Sequence, residues 1–378
     1  MRNQYSFNQH IIMSLIKDIY SPSFYNQFAG YLKKADPSFH KKEFIDRIYA
    51  NDFEKMEWKD RMKHTTRVLH HFLPDNFPKA VRQIDQLITL LREDQIGEGG
   101  LAFVIFPDYI ETYGLDNLDT SVKAFGSITQ FVSCEFAVRP FIIKYGQKMI
   151  DEMIKWSLHK SPAVRRLASE GSRPRLPWAM AIPALKKDPT PILPILENLK
   201  NDPSDSVRRS VANNLNDIAK DHPDIVLKIA AKWKGASKEA DAIIKHGSRT
   251  LLKQGHTEIL SLYGLDSKGI TLSGLKIATP KVKIGSYLEF SFTIHNENKK
   301  DHTVRLEYGI YYRKAKGHLN KKVFKISERI YAPGEKCLVQ RRQSFKLITT
   351  RKFHTGQHKL SIILNGEEKA LAVFTILE

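Results

Sequence analysis

Three carboxylates, Glu135, Glu170 and Asp217, lie in arginine-containing segments of a strongly cationic chain. The stretch "RRLASEGSRPRLPWA", residues 165–179, sets four arginines around Glu170 and brings Trp178 in behind Pro174 and Pro177. A carboxylate held among guanidinium groups can steady a developing positive charge or orient a water, and the guanidiniums can grip phosphate. At about 100° per residue, Val164, Leu167, Ala168 and Gly171 form an apolar helix face, with Arg166 and Glu170 opposite. The plainer reading of that pair is an i,i+4 ion pair on a solvated surface, worth roughly a few tenths of a kcal/mol.

Glu135 is placed differently. In "GSITQFVSCEFAVRPF" its helical neighbours Ile128, Phe131, Val132 and Val138 are apolar, so the carboxylate falls on a face that a helix buries. It must then be paired, carry a raised pKa or face a cavity. Arg139 at i+4 offers a partner, with Pro140 opening the next helix. Trp178, entered through two prolines, could stack on a sugar or base or simply pack in the core.

The elements that must position these groups are helical up to about residue 264, amphipathic segments broken by Pro, Asp, Asn and Ser, as in "VRQIDQLITLLRED", "PILPILENLKND" and "DAIIKHGSRTLLKQGH". "SPAVRRLASEG" from Ser161 and "SDSVRRSVANNL" from Ser204 repeat at an offset of 43, a period typical of HEAT-like arrays. The second copy buries Val207, Val211, Leu215 and Ile218, and it lines up Arg209, Asn213 and Asp217 on the polar side. Arg209 then matches Arg166, and Asn213 matches Glu170. Beyond residue 265 the pattern changes to alternating β-branched and aromatic residues with turns such as "ILNGEEK". The expected architecture is mainly α, a HEAT-like helical repeat solenoid over 1–264, followed by an all-β immunoglobulin-like sandwich over 265–378. "SLYGLDSKG", residues 261–269, is read as the linker.

With 60 Lys+Arg against 41 Asp+Glu in 378 residues, the chain carries a formal +19, which favours a polyanionic partner, nucleic acid first. The N-terminal stretch lacks the apolar core of a signal peptide, and no apolar run reaches membrane-spanning length. Cys134 and Cys337 are far apart and outside any metal-ligand spacing, so a reducing cytoplasmic setting is expected. Phosphate-binding glycine loops, zinc-binding histidine motifs and nucleophilic-serine elbows do not occur, so neither a cofactor nor a metal is expected.

"SCEFAVRPFI", "SPAVRRLASEGSRPRLPWA" and "SVRRSVANNLNDIAKDHP", in this order on a helical array, resemble the bacterial alkylpurine DNA glycosylases of the AlkC branch, relatives of AlkD. Some members of that branch carry an immunoglobulin-like C-terminal domain, matching the β-rich tail. The resemblance implies hydrolysis of the N-glycosidic bond of cationic alkylated bases, 3-methyladenine and 3-methylcytosine, in duplex DNA without a base-flipping pocket. It implies Glu170, Glu135 and Asp217 as the catalytic group. Arg166, Arg173, Arg175, Arg209, Arg139 and Trp178 are the expected DNA contacts, in a protein acting as a monomer. The competing class is a noncatalytic HEAT scaffold for nucleic acid or protein, which has no need of carboxylates inside a phosphate-binding surface.

Overall fold

The computed structural model describes residues 16–50, 52–347 and 352–378. The expectation about the N-terminal segment concerns residues that fall mostly outside this range. Helices α1 (Pro22–Ala35), α2 (Lys41–Ile48), α3 (Trp58–His70), α4 (Phe77–Glu93), α5 (Ile105–Tyr113) and α6 (Leu118–Ile128) open the array. They are followed by α7 (Val138–Tyr145), α8 (Gln147–Trp156), α9 (Pro162–Gly171), α10 (Pro183–Lys187), α11 (Leu193–Leu199) and α12 (Asp205–Ile218). The last helices are α13 (Pro223–Trp233), α14 (Lys238–Gly247), α15 (Arg249–Gln254) and α16 (Thr257–Leu262). None of the described helices is long and apolar enough to cross a membrane.

Local chemistry accounts for these elements. Asn76 caps α4 by accepting the Lys79 amide, Pro78 sits in the first turn, and Ala80, Ile84, Leu87 and Leu91 supply the buried stripe. Ser161 and Ser204 are the N-caps of α9 and α12, the two copies of the repeat. The first arginine of each copy does the same work. Arg165 Nη1 donates to the carbonyls of His159 and Lys160, and Arg208 Nη1 to those of Asp202 and Pro203. Each thus satisfies the turn that leads into its helix. The predicted stripes are buried, with Val164, Leu167, Val207, Val211 and Leu215 at the core, and α12 packs between α9 and α14.

The chain forms two compact units, one running through His222 and resuming at Trp233–Gly247, the other made of Pro223–Lys232 and Ser248–Glu378. The single helix expected over "DAIIKHGSRTLLKQGH" is broken at Ser248, where α14 ends and α15 begins, and the units divide at the same point.

In the second unit β1 (Ile270–Ile277), β3 (Tyr287–Asn296) and β6 (Lys336–Ser344) form one antiparallel sheet in the order β1-β3-β6. A second sheet takes β2 (Lys281–Lys283), β4 (His302–Arg313), β5 (Leu319–Tyr331), β7 (Gly356–Leu364) and β8 (Glu367–Leu377) in the order β2-β8-β7-β4-β5. Alternate residues of β3 (Leu288, Phe290, Phe292, Ile294) meet Val304, Leu306, Ile310, Leu360 and Ile362 in one core, so the two sheets make the expected sandwich. The segment read as a linker is tied down: the Asp266 carbonyl accepts from Asn365 Nδ2 and, at 2.8 Å, from His302 Nε2.

Asn365 and Gly366 turn β7 into β8 with φ of 45° and 81°, the paired left-handed residues of a tight hairpin. A Cβ on Gly366 would stand 2.4 Å from Leu260 Cδ1 and 2.8 Å from the Gly255 backbone, because α15 and α16 press on this hairpin. Gly366→Ala should therefore destabilise the second unit by about 1–3 kcal/mol, read as a lower urea midpoint with unchanged slope.

Candidate active site

Three of the candidate residues, Glu170, Arg173 and Asp217, meet where the chain leaves α9. Ser172 Oγ donates to the Ala168 carbonyl at 2.7 Å and ends the helix, after which "RPRLPWAM" folds back over it. Arg173 points into the array. Its Nη1 donates to Glu170 Oε1 at 2.6 Å and its Nε to Asp217 Oδ2 at 2.8 Å, while Lys220 Nζ donates to Asp217 Oδ1 at 2.9 Å. The side chains of Arg173, Glu170 and Asp217 are only 8, 7 and 2% exposed, so one buried cation joins carboxylates from two successive repeats. Ser210 Oγ donates to Ser169 Oγ and Asn214 Nδ2 to the Ser169 carbonyl, which fastens α12 to α9 beneath them.

Burial alone would lower the Arg173 pKa, but Glu170 and Asp217 together outweigh it and the pKa is raised. The guanidinium is held charged.

This geometry corrects the helical-wheel reading. Glu170 and Asp217 are not on a solvated face: both are buried, with Arg173 from the loop after α9 bonded to them, and Arg166 does not pair with Glu170. Arg166 Nη1 instead donates to Glu135 Oε2 at 2.6 Å and to Ser133 Oγ at 3.2 Å, and Ser133 Oγ donates to the same Glu135 oxygen at 2.6 Å. Glu135 itself is not helical; it lies in the turn before α7, and with 18% of its side chain exposed it is the most accessible of the three carboxylates. Pro140 lies within the first turn of α7, where a missing N–H costs no helical bond.

Arg139 is also relocated. Fully buried, it donates to the carbonyls of Gly171, Arg173 and Met180 at 2.9, 2.8 and 2.6 Å, so it clamps the loop backbone rather than projecting toward a ligand. Burial, helped by the nearby Arg173 charge, brings its pKa down to about 10. Arg139 and Arg173, expected as DNA contacts, thus aim their hydrogen bonds inside the protein, while the buried Arg139 Nη2 has no partner among the described residues. The loop they hold presents Trp178, which is 65% exposed at φ 66°, a left-handed backbone rare for a tryptophan. Lys59 Nζ from α3 donates to the Trp178 carbonyl. At the surface, Arg175 grips Asp221 through Nε at 3.1 Å and Nη2 at 2.6 Å, and Arg209 reaches Asp205 at 3.0 Å.

Ser133, Asp108 and Glu111 were not singled out by the sequence pattern. The last two are carboxylates inside the apolar run "FVIFPDYIETYG", the signal that would have flagged them. Burial raises both pKa values, that of Glu111 to about 7, with the Asp108 charge adding to it. Among the described residues, no group of three or more His, Cys, Asp or Glu is arranged to hold a metal ion.

The sequence and fold have close relatives. Residues 271–378 match the family described as uncharacterised protein YhaZ, C-terminal Ig-like domain, and residues 192–222 match the HEAT repeat. The uncharacterized protein YhaZ of Bacillus subtilis (strain 168) is 45% identical over 358 residues, 94% of this chain and 98% of that protein. The alkylpurine DNA glycosylase AlkC of Pseudomonas fluorescens, solved bound to DNA containing an abasic site analog, is 32% identical with a TM-score of 0.89, covering 96% of this chain and 99% of that one. With a HEAT-type array, a C-terminal immunoglobulin-like domain and this extent of likeness to AlkC, the chain belongs to the AlkC branch of the bacterial HEAT-like-repeat alkylpurine DNA glycosylase family.

Proposed function

We propose that the protein is a DNA glycosylase that removes cationic alkylated bases, 3-methyladenine and 3-methylcytosine, from duplex DNA. One observation carries this reading: the loop that bears the exposed Trp178 also supplies Arg173 to Glu170 and Asp217, and Arg166 of the helix before it pairs with Glu135, in a chain similar throughout its length to a glycosylase bound to DNA containing an abasic site analog. Alkylation at N3 gives the base a positive charge, so the glycosidic electron pair can leave with it without prior protonation. Positive charge then passes to C1′. A fixed carboxylate there stabilises the oxocarbenium ion and orients the water that captures it.

Within this proposal the three carboxylates have different tasks. Glu135 is the group that approaches the sugar, since it keeps solvent access. Glu170 and Asp217, neutralised by Arg173 and Lys220, anchor Arg173 and with it the loop. Trp178 meets the minor or major groove surface of the damaged nucleotide, and Arg166, Arg175 and Arg209, each partly exposed, approach phosphates.

The test is to incubate the protein with methylated duplex and, separately, with a uracil-containing duplex, and to identify the released bases. Release of 3-methyladenine, with uracil left in place, is the expected result; efficient uracil release contradicts the leaving-group argument, and tight binding without release from either substrate favours the scaffold. Glu135→Gln and Glu170→Gln should each lower single-turnover excision by about a hundredfold, as loss of a preorganised electrostatic group does. Activity equal to the parent in either variant removes that residue from the proposed group.

The second unit adds a separate expectation. From residue 265 onward there are 22 Lys+Arg against 10 Asp+Glu, and Arg313, Lys314, Lys321 and Lys322 line one surface pocket. If this surface meets the DNA backbone, changing Lys314, Lys321 and Lys322 to Ala should weaken binding. The slope of log affinity against log salt should also flatten, by about 0.9 for each phosphate no longer neutralised. A slope identical to the parent's would exclude backbone binding there.

A further inference from the structure

The proposed reaction has a proton to dispose of. The base leaves neutral, and the water that forms the new C1′–O bond must shed one hydrogen ion. Glu135 is placed to take it first, and its Oε2 accepts the Ser133 hydroxyl at 2.6 Å. Ser133 also lines a small cavity whose apolar walls come from α3, the start of α5 and the turn before α7. Its polar lining, besides Ser133, is Asp108 and Glu111, one turn apart on α5. The volume, about 30 Å³, suits about one or two waters. Asp108 is only 5% exposed, and its Oδ2 has no hydrogen-bond partner among the described residues, leaving an acceptor that a water in the cavity would complete.

We propose that Glu111 is the terminal proton acceptor of base excision, reached from Glu135 through the Ser133 hydroxyl and the water of this cavity. The inference rests on the glycosylase reading above. In the step, the C1′–N bond breaks with its electron pair going to the base, and the water oxygen bonds to C1′. The surplus proton passes to Glu135; Glu135 returns it to Ser133 Oγ as Ser133 gives its own proton to the cavity water, which protonates the Glu111 carboxylate. Glu111 later releases that proton to bulk solvent. Proton removal influences the net rate because capture by water competes with return of the departed base.

The surroundings of Glu111 suit the task. The charged groups that face it are Asp108 on its own helix and Lys59 and Lys63 on α3. Burial is the largest influence and raises the pKa, Asp108 raises it further, and the two lysines oppose them. The resulting value of about 7 makes the carboxylate basic enough to hold a proton near neutrality yet ionised in mildly alkaline solution.

The experiment follows single-turnover release of 3-methyladenine by the full chain from about pH 5.5 to about pH 9, for the parent, Glu111→Gln and Glu111→Asp. The parent rate should fall on the acid side with a midpoint near 7, where Glu111 becomes protonated and can accept nothing more. Glu111→Gln should be slower by about a hundredfold at alkaline pH and lose the acid limb, while Glu111→Asp keeps a limb and part of the rate. DNA affinity should be unchanged in both. Parent-like rate and limb in Glu111→Gln would overturn the relay.

A second readout does not depend on excision. A carboxylate whose folded pKa is raised contributes stability below its unfolded pKa and loses it as pH rises through the folded value. The melting temperature of Glu111→Gln should therefore gain on that of the parent between about pH 5 and about pH 8. Equal differences at both pH values would overturn the inference. No base release by the parent at any pH would overturn the glycosylase reading and the relay with it, whereas release with an unaltered Glu111→Gln profile would overturn the relay alone.

Discussion

A guanidinium buried between two carboxylates organises this molecule's first unit. Arg173 leaves the end of one repeat and is neutralised by Glu170 of that repeat and Asp217 of the next. Ions this far from water are tolerated only with close partners, and removing one member of such a set typically costs about 3–5 kcal/mol. The network therefore couples charge to architecture. It ties the end of α9 and the start of the following loop to α12.

The loop inherits its conformation from that anchor. Arg139 donates to three of its carbonyls, Pro174 and Pro177 remove backbone freedom, and the Ile182 amide closes on the Pro174 carbonyl at 3.2 Å. A tryptophan at positive φ costs on the order of 1–3 kcal/mol and persists only where its surroundings over-determine it. Here they do. The consequence is an indole standing in solvent on a preset backbone.

Glu135 differs from the other two carboxylates in being held without being covered. Its partners, Ser133 and Arg166, both address Oε2, and the residue sits in a turn rather than on a packed helix face. It is thus fixed in position while retaining access, whereas Glu170 and Asp217 are fixed and covered. The second unit relies on a different balance: Arg305 is buried between Glu307 and Glu328, at 2.7 and 3.1 Å, in a sandwich whose outer surface is rich in lysine. Charge is neutralised where the β-domain is dry and left in excess where it is wet.

Much was legible in the residues themselves. Helical period exposed the stripes of α4, α9 and α12, strict alternation exposed β3, and the Asn-Gly pair marked the β7–β8 turn, because each of these depends on neighbours within a few positions. The 43-residue offset was equally readable, and Arg165 and Arg208 act alike because each bonds a turn five or six residues back. The family resemblance pointed to the three carboxylates. What tertiary structure decided was their state. Arg166 meets Glu135 from 31 positions away and Arg173 meets Asp217 from 44, pairings that no helical wheel contains. Arg139 became a clamp because a loop more than thirty residues later crossed it, and the β2-β8-β7-β4-β5 order arose from strands distant in the chain. Local sequence sets which face a helix buries; which charge is covered, and by whom, follows only when the chain returns.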